Sequence, residues 1–298
     1  MQKIKLGKTE IEVSRVAFGG IVCTDELQSD ADRFVAYAVD AGVNYFDVAP
    51  SYGNAEEKLG PALKPYRGNA ILACKTTERT ATGARKQLES SLKILQTDYF
   101  DIYQMHGLQE DEDIQQIFAE EGALKAFIDA KKEGLIRHIG ITAHSEDIAL
   151  EALAMYDFDT VMFPINWALH IGNILGTRLP EKCKQKNIGL VGIKALAHRK
   201  WYEDEERIYP KSWCKTIYND DRLSICALKY ALHRGADSLI PPGNFEQFVF
   251  MLKHIEECVA NPLNEEDIKY LKSSMPGSSD HIFEISENGR RVMMRCNG

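Results

Sequence analysis

The sequence predicts an α/β fold, a (β/α)8 TIM barrel with an N-terminal β-hairpin and extra C-terminal helices, in a single domain over residues 1–298. Short apolar runs alternate with longer amphipathic segments along the chain, which is the pattern of repeated strand–helix units. The composition does not change along the chain in a way that would mark a domain boundary. A length of 298 residues fits a barrel of ~250 residues with additions.

The predicted elements follow one another in the order that a barrel requires. A hairpin over residues 3–13, with its turn at residues 7–9, precedes the first strand and would close the barrel floor. The predicted strands cover residues 16–19, 45–47, 71–75, 100–106, 138–141, 160–163, 190–194 and 238–241. The predicted helices cover residues 30–40, 55–63, 81–95, 123–133, 146–154, 179–185, 221–233, 246–257 and 265–273, the last one entered through Asn264 as N-cap.

A doubly wound open sheet is the alternative architecture. An open sheet that binds a dinucleotide usually carries Gly-x-Gly-x-x-Gly in its first strand–helix turn. Residues 18–23 read Phe-Gly-Gly-Ile-Val-Cys and do not match this pattern. The barrel is therefore preferred.

Composition excludes several classes of function. The net charge of −8 and the absence of a Lys/Arg cluster disfavour nucleic-acid binding. The N-terminus has no apolar stretch of signal-peptide length and no run approaches ~20 apolar residues, so we expect a cytoplasmic protein without a membrane partner. The oligomeric state stays open. Seven scattered cysteines without a Cys-x-x-Cys pair predict reduced, mostly buried thiols and no metal site: Cys23, Cys74, Cys183, Cys214, Cys226, Cys258 and Cys296.

Ionisable residues close three of the predicted strands. Asp47, Lys75 and His106 stand at strand ends, and Tyr52 lies in the loop after the first of them. Active sites of barrels form at the carboxyl ends of strands, and buried Lys and Asp are almost never left unpaired. A lone Tyr or His in such a place is more often structural, but the combination favours catalysis, with the phenol as a candidate acid.

These motifs resemble the aldo-keto reductases, a family of (β/α)8 enzymes that use NAD(P)H to reduce carbonyls. The resemblance rests on residues 42–53, on Lys75 and on residues 98–106, with further matches at residues 6–9, 134–142 and 240–243. It implies reduction of a small aldehyde, ketone or sugar, with the proton from Tyr52. Lys75 is expected to favour ionisation of this phenol, Asp47 to compensate Lys75, and a neutral His106 to orient the carbonyl.

The resemblance also implies a nicotinamide cofactor, NADPH as the family default or NADH. The family's Ser-Asn after the fifth strand reads Thr142-Ala143 here, which keeps the hydroxyl and loses the amide, and His144 is a candidate substitute for that amide. Met162 stands where the family has Gln after the sixth strand, and Ile193 where it has a stacking aromatic residue. No basic residue follows Pro241 before Lys253, which makes NADH a competitor. The candidate cofactor-binding residues are Gly20, Ile21, Asp47, Thr142, His144, Met162, Ile193, Lys194, Leu196, Gly243, Asn244 and Gln247.

Substrate contacts are expected from Cys23, Tyr52, His106 and Trp167, and from a long aromatic-rich segment over residues 198–220. The acidic runs at residues 110–113 and 203–206 are interpreted as solvated loops. A cofactor-binding regulatory or interaction protein with little turnover is the alternative function, because descent alone could preserve the four residues.

Overall fold

Eight parallel strands form one continuous curled sheet in the computed structural model, which describes residues 1–286 and 292–294. The sheet runs in the order of the chain, and three further pairs of short strands are antiparallel. In chain order the strands are β1 (Lys3–Lys5), β2 (Glu12–Ser14), β3 (Phe18–Gly19), β4 (Tyr45–Asp47), β5 (Ile71–Thr76), β6 (Phe100–Leu108), β7 (Ile136–Ala143), β8 (Thr160–Pro164), β9 (Gly189–Ile193), β10 (Ala197–Arg199), β11 (Lys215–Thr216), β12 (Ser238–Leu239), β13 (Phe283–Ile285) and β14 (Val292–Met294).

The sheet closes on itself between its first and last strands. Val16, just before β3, pairs in parallel with Leu239 of β12. The Ala17 amide donates to the Leu239 carbonyl at 3.0 Å, and the Leu239 amide donates to the Arg15 carbonyl at 2.9 Å. Closure confirms the barrel and excludes the open sheet.

The N-terminal hairpin covers the barrel floor, as the sequence predicts. β1 and β2 pair antiparallel, and Leu6 and Val13 are fully buried against inward-facing barrel residues such as Tyr45. Gly7 has φ +51°, and a Cβ there would stand 2.1 Å from the Gly189 backbone nitrogen. The turn can approach the start of β9 this closely only because it carries glycine.

Helices surround the sheet and bury their apolar faces against its outer surface in a second, larger apolar cluster. Asn264 caps the last helix as predicted, since its side chain accepts from the Asp267 amide. The helices are α1 (Gln28–Asp40), α2 (Ala55–Leu63), α3 (Ala81–Ile94), α4 (Asp111–Ile117), α5 (Ala123–Lys132), α6 (Glu146–Met155), α7 (Trp167–Ile171), α8 (Leu179–Lys186), α9 (Asp221–His233), α10 (Phe245–Ala260) and α11 (Glu265–Ser273).

Several elements differ from the prediction. The acidic run at residues 110–113 is not a loop, because it enters α4 and places carboxylates in the first turn, where they favour the helix. The short pairs β10–β11 and β13–β14 were not predicted from the sequence.

Two further observations concern thiols and membranes. None of the six cysteines within the described residues forms a disulfide bond, and all six are buried, whereas Cys296 lies outside those residues. No helix found in residues 1–286 and 292–294 has the length and apolarity needed to cross a lipid bilayer.

Candidate active site

A buried ion pair lies where β4 and β5 end. Asp47 pairs with Ala73 in the sheet register, so Lys75, two residues further along β5, faces the same side. The Lys75 ammonium donates to Asp47 Oδ2 at 2.5 Å and to the Val48 carbonyl at 3.1 Å. Their side chains are 0% and 2% exposed. Burial alone would lower the pKa of Lys75, but Asp47 and Tyr52 raise it above its ordinary value, so Lys75 keeps its charge.

Tyr52 lies beside this pair, with its ring centre 4.9 Å from the Lys75 ammonium. Burial raises the pKa of Tyr52 above its usual value, and the neighbouring Lys75 charge only partly opposes this effect. Lys75 acts on the phenol in the expected direction, but desolvation penalises the phenolate more than Lys75 attracts it. Tyr52 consequently carries its proton at physiological pH.

His106 faces Tyr52 from the end of β6. The two rings meet edge to face with centroids 5.8 Å apart, and His106 Nδ1 lies 3.3 Å from Ser51 Oγ. Burial, together with the positive charges of Lys75, Arg79 and Lys194, lowers the pKa of His106 to about 3. His106 is therefore neutral at physiological pH.

Tyr52 and His106 line a cavity of about 420 Å³, which we call the apolar cavity. It lies at the carboxyl ends of the strands and is walled partly by the long segment after β9. Among the sequence candidates, the residues that line it are Ile21, Asp47, Tyr52, His106, Thr142, His144, Met162, Ile193, Lys194 and Gly243.

Sequence reasoning missed part of this wall. Lys211, Ser212, Cys214 and Thr216 line the apolar cavity beside Trp213. The signal available in the sequence was the length and aromatic content of residues 198–220, which indicated the segment but not its contacting residues. Gly243 packs against this segment, since a Cβ there would stand 3.1 Å from the Lys211 Cβ.

His144 and Lys194 form a polar contact in the wall of the apolar cavity. The Lys194 ammonium lies 3.0 Å from His144 Nε2 and 4.8 Å from the centre of the Trp213 ring. Burial, with the nearby Lys194 charge, lowers the pKa of His144 well below its usual value. Since Nε2 accepts from Lys194, the neutral ring carries its proton on Nδ1, which is buried and finds no hydrogen-bond acceptor among the described residues.

Two residues expected near the substrate do not line the apolar cavity. Trp167 is fully buried at the start of α7 and stacks on His198, with ring centroids 6.0 Å apart. Cys23 is fully buried in the apolar cluster between helices and sheet. Both side chains therefore pack in the core of this structure, and neither reaches the apolar cavity.

Four cofactor candidates also lie outside the lining of the apolar cavity. Asn244 caps α10 by accepting from the Gln247 amide at 2.8 Å, and Gln247 Nε2 donates to the Ile217 carbonyl at 3.0 Å. Gly20 and Leu196 are buried. The polar groups of Asn244 and Gln247 are thus used in holding a helix start and a loop.

A second cavity of about 560 Å³ adjoins the first, and we call it the polar groove. His106 and His144 line both cavities and so form their shared wall. Arg79, in the loop between β5 and α3, joins α4 to β6 there, donating to Asp113 Oδ1 at 2.6 Å and to the His106 carbonyl at 2.8 Å. The lining residues of the polar groove are Thr77, Arg79, His106, Gly107, Gln109, Glu110, Glu112, Asp113, Gln116 and His144.

Comparisons with known proteins agree with this architecture. The family model described as "Aldo/keto reductase family" matches residues 16–275. The oxidoreductase YqkF of Bacillus subtilis is 30% identical over 92% of this chain and 96% of its own length. L-galactose dehydrogenase of Arabidopsis thaliana is 32% identical over 66% of this chain and 67% of its own. The holo form of aldo-keto reductase AKR11C1 from Bacillus halodurans shares the fold, with a TM-score of 0.73 and 23% identity over 98% of this chain and 100% of that one.

Proposed function

The chain belongs to the aldo/keto reductase family, and from this premise we propose that it reduces an aldehyde, ketone or sugar to an alcohol with the proton supplied by Tyr52. Membership makes the protein an oxidoreductase of the NAD(P)H-dependent, carbonyl-reducing kind. The observation that carries the finer proposal is the meeting of Tyr52 and His106 over the buried Asp47–Lys75 pair at one cavity wall.

Each of the four residues has a distinct task in this proposal. Negative charge develops on the carbonyl oxygen when hydride reaches the carbon, and a donor within hydrogen-bond reach neutralises it. Tyr52 holds a proton for this purpose because burial keeps the pKa of its phenol high. Lys75 then stabilises the phenolate that forms, and Asp47 balances the buried ammonium. The neutral His106 positions the carbonyl oxygen without adding a charge to the site.

The apolar cavity has features that suit a nicotinamide cofactor. Its volume lies in the usual range for small-molecule sites, and Met162 and Ile193 provide an apolar surface for a flat ring. His144 Nδ1 and Asp47 Oδ1 are buried polar atoms without a hydrogen-bond partner among the described residues, so they can serve a polar ligand. When bound, the reduced nicotinamide supplies hydride to the carbonyl carbon.

NADPH and NADH both remain candidates under this proposal. The segment after β12 has no basic residue before Lys253, but Lys211 from the loop after β10 lies beside Gly243 and brings a positive charge to this part of the apolar cavity. Its ammonium already contacts the Glu26 carboxylate at 2.5 Å and the Val22 carbonyl at 2.9 Å. A 2′-phosphate would therefore meet a partly neutralised charge, and titration with both cofactors decides between them.

Tyr52→Phe tests the proposal because it removes the hydroxyl and keeps the ring. We expect kcat for a panel of aldehydes, ketones and sugars to fall about 100-fold or more, since general acid catalysis contributes on this scale. Fluorescence titration should give cofactor affinities within about twofold of wild type. Tyr37→Phe, at an exposed position on α1, is the matched control and should leave both quantities unchanged.

Two results would overturn the proposal. Near-normal turnover in Tyr52→Phe would remove Tyr52 from the reaction. A wild-type protein that binds a cofactor but reduces no carbonyl would favour the regulatory alternative.

A further inference from the structure

We propose that the polar groove is a substrate subsite that selects neutral carbonyl compounds bearing several hydroxyl groups over apolar or anionic ones. This inference rests on the proposed function, because it needs the reacting carbonyl to lie beside Tyr52 and His106. It goes further in naming which chemical groups the rest of the substrate carries.

The position of the groove supports this assignment. His106 and His144 line both cavities, so a carbonyl held at His106 lies at the junction between them. If a cofactor fills the apolar cavity, the remaining chain of the substrate has the groove of about 560 Å³ to extend into. The groove is thus close enough to the reacting atoms to affect specificity.

The lining of the groove suits hydroxyl groups. Thr77, Gln109 and Gln116 bring a hydroxyl and two carboxamides, and Glu112 accepts from Gln116 Nε2 at 2.9 Å. A sugar hydroxyl both donates and accepts, so it can bond to carboxamide, hydroxyl and carboxylate groups alike. An alkyl chain in the same place would displace water from polar groups and return no hydrogen bond to them.

Charge in the groove disfavours an anionic substrate. Glu110, Glu112 and Asp113 line it together with Arg79. The Arg79 guanidinium contacts the Asp113 carboxylate and the His106 carbonyl, and its Nη1 has no hydrogen-bond partner among the described residues. The three carboxylates outnumber this one cation in the lining. A carboxylate or phosphate on the substrate would face the remaining acidic side chains, whereas a neutral polyol would not be repelled.

The groove is held in shape without a ligand. Arg79 lies in the loop between β5 and α3, and Asp113 lies in the first turn of α4, so their ion pair joins that loop to α4. Asp113 Oδ2 also accepts from the Gln109 amide at 2.8 Å, which fixes the backbone beside Gln109. A preformed wall of this kind loses less freedom when a substrate binds.

A matched set of four-carbon aldehydes tests the proposal: erythrose carries hydroxyls, butanal carries none, and succinic semialdehyde carries a carboxylate. We expect wild-type kcat/KM for erythrose, calculated per free aldehyde measured by NMR, to exceed that for each of the others by about tenfold. Gln116→Leu and Gln109→Leu should each reduce the erythrose-to-butanal ratio about three- to tenfold, as expected for one lost hydrogen bond. Comparing variants cancels the hydrated fraction of each aldehyde.

Gln115→Leu is the matched control, since Gln115 is exposed on α4 and does not line the groove. Its substrate ratios should equal those of wild type, and circular dichroism checks the fold of all three variants. A wild-type ratio near one, or a ratio unchanged in both Gln116→Leu and Gln109→Leu, would overturn the subsite. If butanal is still reduced and Tyr52→Phe abolishes that reduction, only the subsite has failed. Absence of turnover with every carbonyl would overturn the proposed function and the subsite with it.

Discussion

The apolar cavity and the polar groove share His106 and His144 as a wall but differ in the side chains that complete them. Met162, Ile193 and Trp213 face the first, whereas amides, carboxylates and a guanidinium face the second. This contrast supports a division in which a flat cofactor ring occupies one cavity and the hydroxylated chain of a substrate the other. The shared histidines are both neutral, so the boundary itself adds no charge.

Each cavity also has its own ion pair, and the two pairs differ in burial. The side chains of Lys75 and Asp47 are 0% and 2% exposed, whereas those of Arg79 and Asp113 are 14% and 19% exposed. A pair without access to water must stay complete, because the surviving charge cannot be solvated. The pair beside the groove is partly exposed, so water can solvate a charge that has lost its partner.

Removing the cation of each pair should sharpen this contrast. Lys75→Met is expected to lower the free energy of unfolding by about 3–5 kcal/mol, since it leaves Asp47 buried and unpaired. Arg79→Met should lower the free energy of unfolding by only about 1 kcal/mol, as for a partly exposed ion pair. Urea denaturation measures both. The double variant Lys75→Met with Asp47→Asn should recover much of the stability without activity, and equal losses for Lys75→Met and Arg79→Met would contradict the comparison.

The shared wall predicts a dependence of stability on pH. The pKa of His106 is about 3 in the folded protein, below the ~6.5 of an unfolded His, so only the unfolded chain binds this proton between those values. The contribution of His106 is therefore complete above pH 6.5 and is lost as pH falls toward 3. Between pH 7 and pH 5 the loss is at most about 2 kcal/mol.

His106→Gln isolates this effect, because other groups titrate equally in both proteins. Urea denaturation at pH 7 and pH 5 should show a smaller loss of stability in the variant than in wild type. The same loss in both would mean that His106 is solvated and titrates normally.

Asn244→Ala tests where the apolar cavity ends. Its side chain caps α10, so its removal should cost about 1 kcal/mol in unfolding free energy. Cofactor affinity should stay within about twofold, since Asn244 does not line the cavity. A marked loss of cofactor binding at unchanged stability would return Asn244 to the binding site.

The sequence predicts the parts of this architecture that depend on short-range pattern. Asp47 and Lys75 each close an apolar run, and parallel strands bring such ends together, so their meeting follows from strand order alone. The barrel strands were likewise visible as apolar runs separated by amphipathic helices. The turn at residues 7–9 also predicted the hairpin that covers the barrel floor.

Other features depend on packing that the sequence does not express. The sequence around Asn244 and Gln247 fits cofactor ligands and a helix start equally well, so it does not distinguish the two roles. In the structure Gln247 Nε2 donates to the Ile217 carbonyl, a contact that the sequence does not predict. Trp167 was placed near the substrate because it follows a strand, but α7 turns it into the core. The raised pKa of Tyr52 depends on the depth of burial, which no local pattern reports.

The most direct test of the division between the two cavities is to compare Ile193→Asp with Gln116→Leu in two assays, cofactor titration and kcat/KM for erythrose against butanal. Ile193→Asp places a carboxylate in the apolar cavity and should weaken the better-bound cofactor about tenfold or more, while Ile193→Val should change it less than twofold. Gln116→Leu should leave cofactor affinity unchanged and reduce the erythrose-to-butanal ratio. If Ile193→Asp leaves cofactor affinity intact, or if Gln116→Leu weakens the cofactor and not the preference for erythrose, the assignment of the two cavities is wrong.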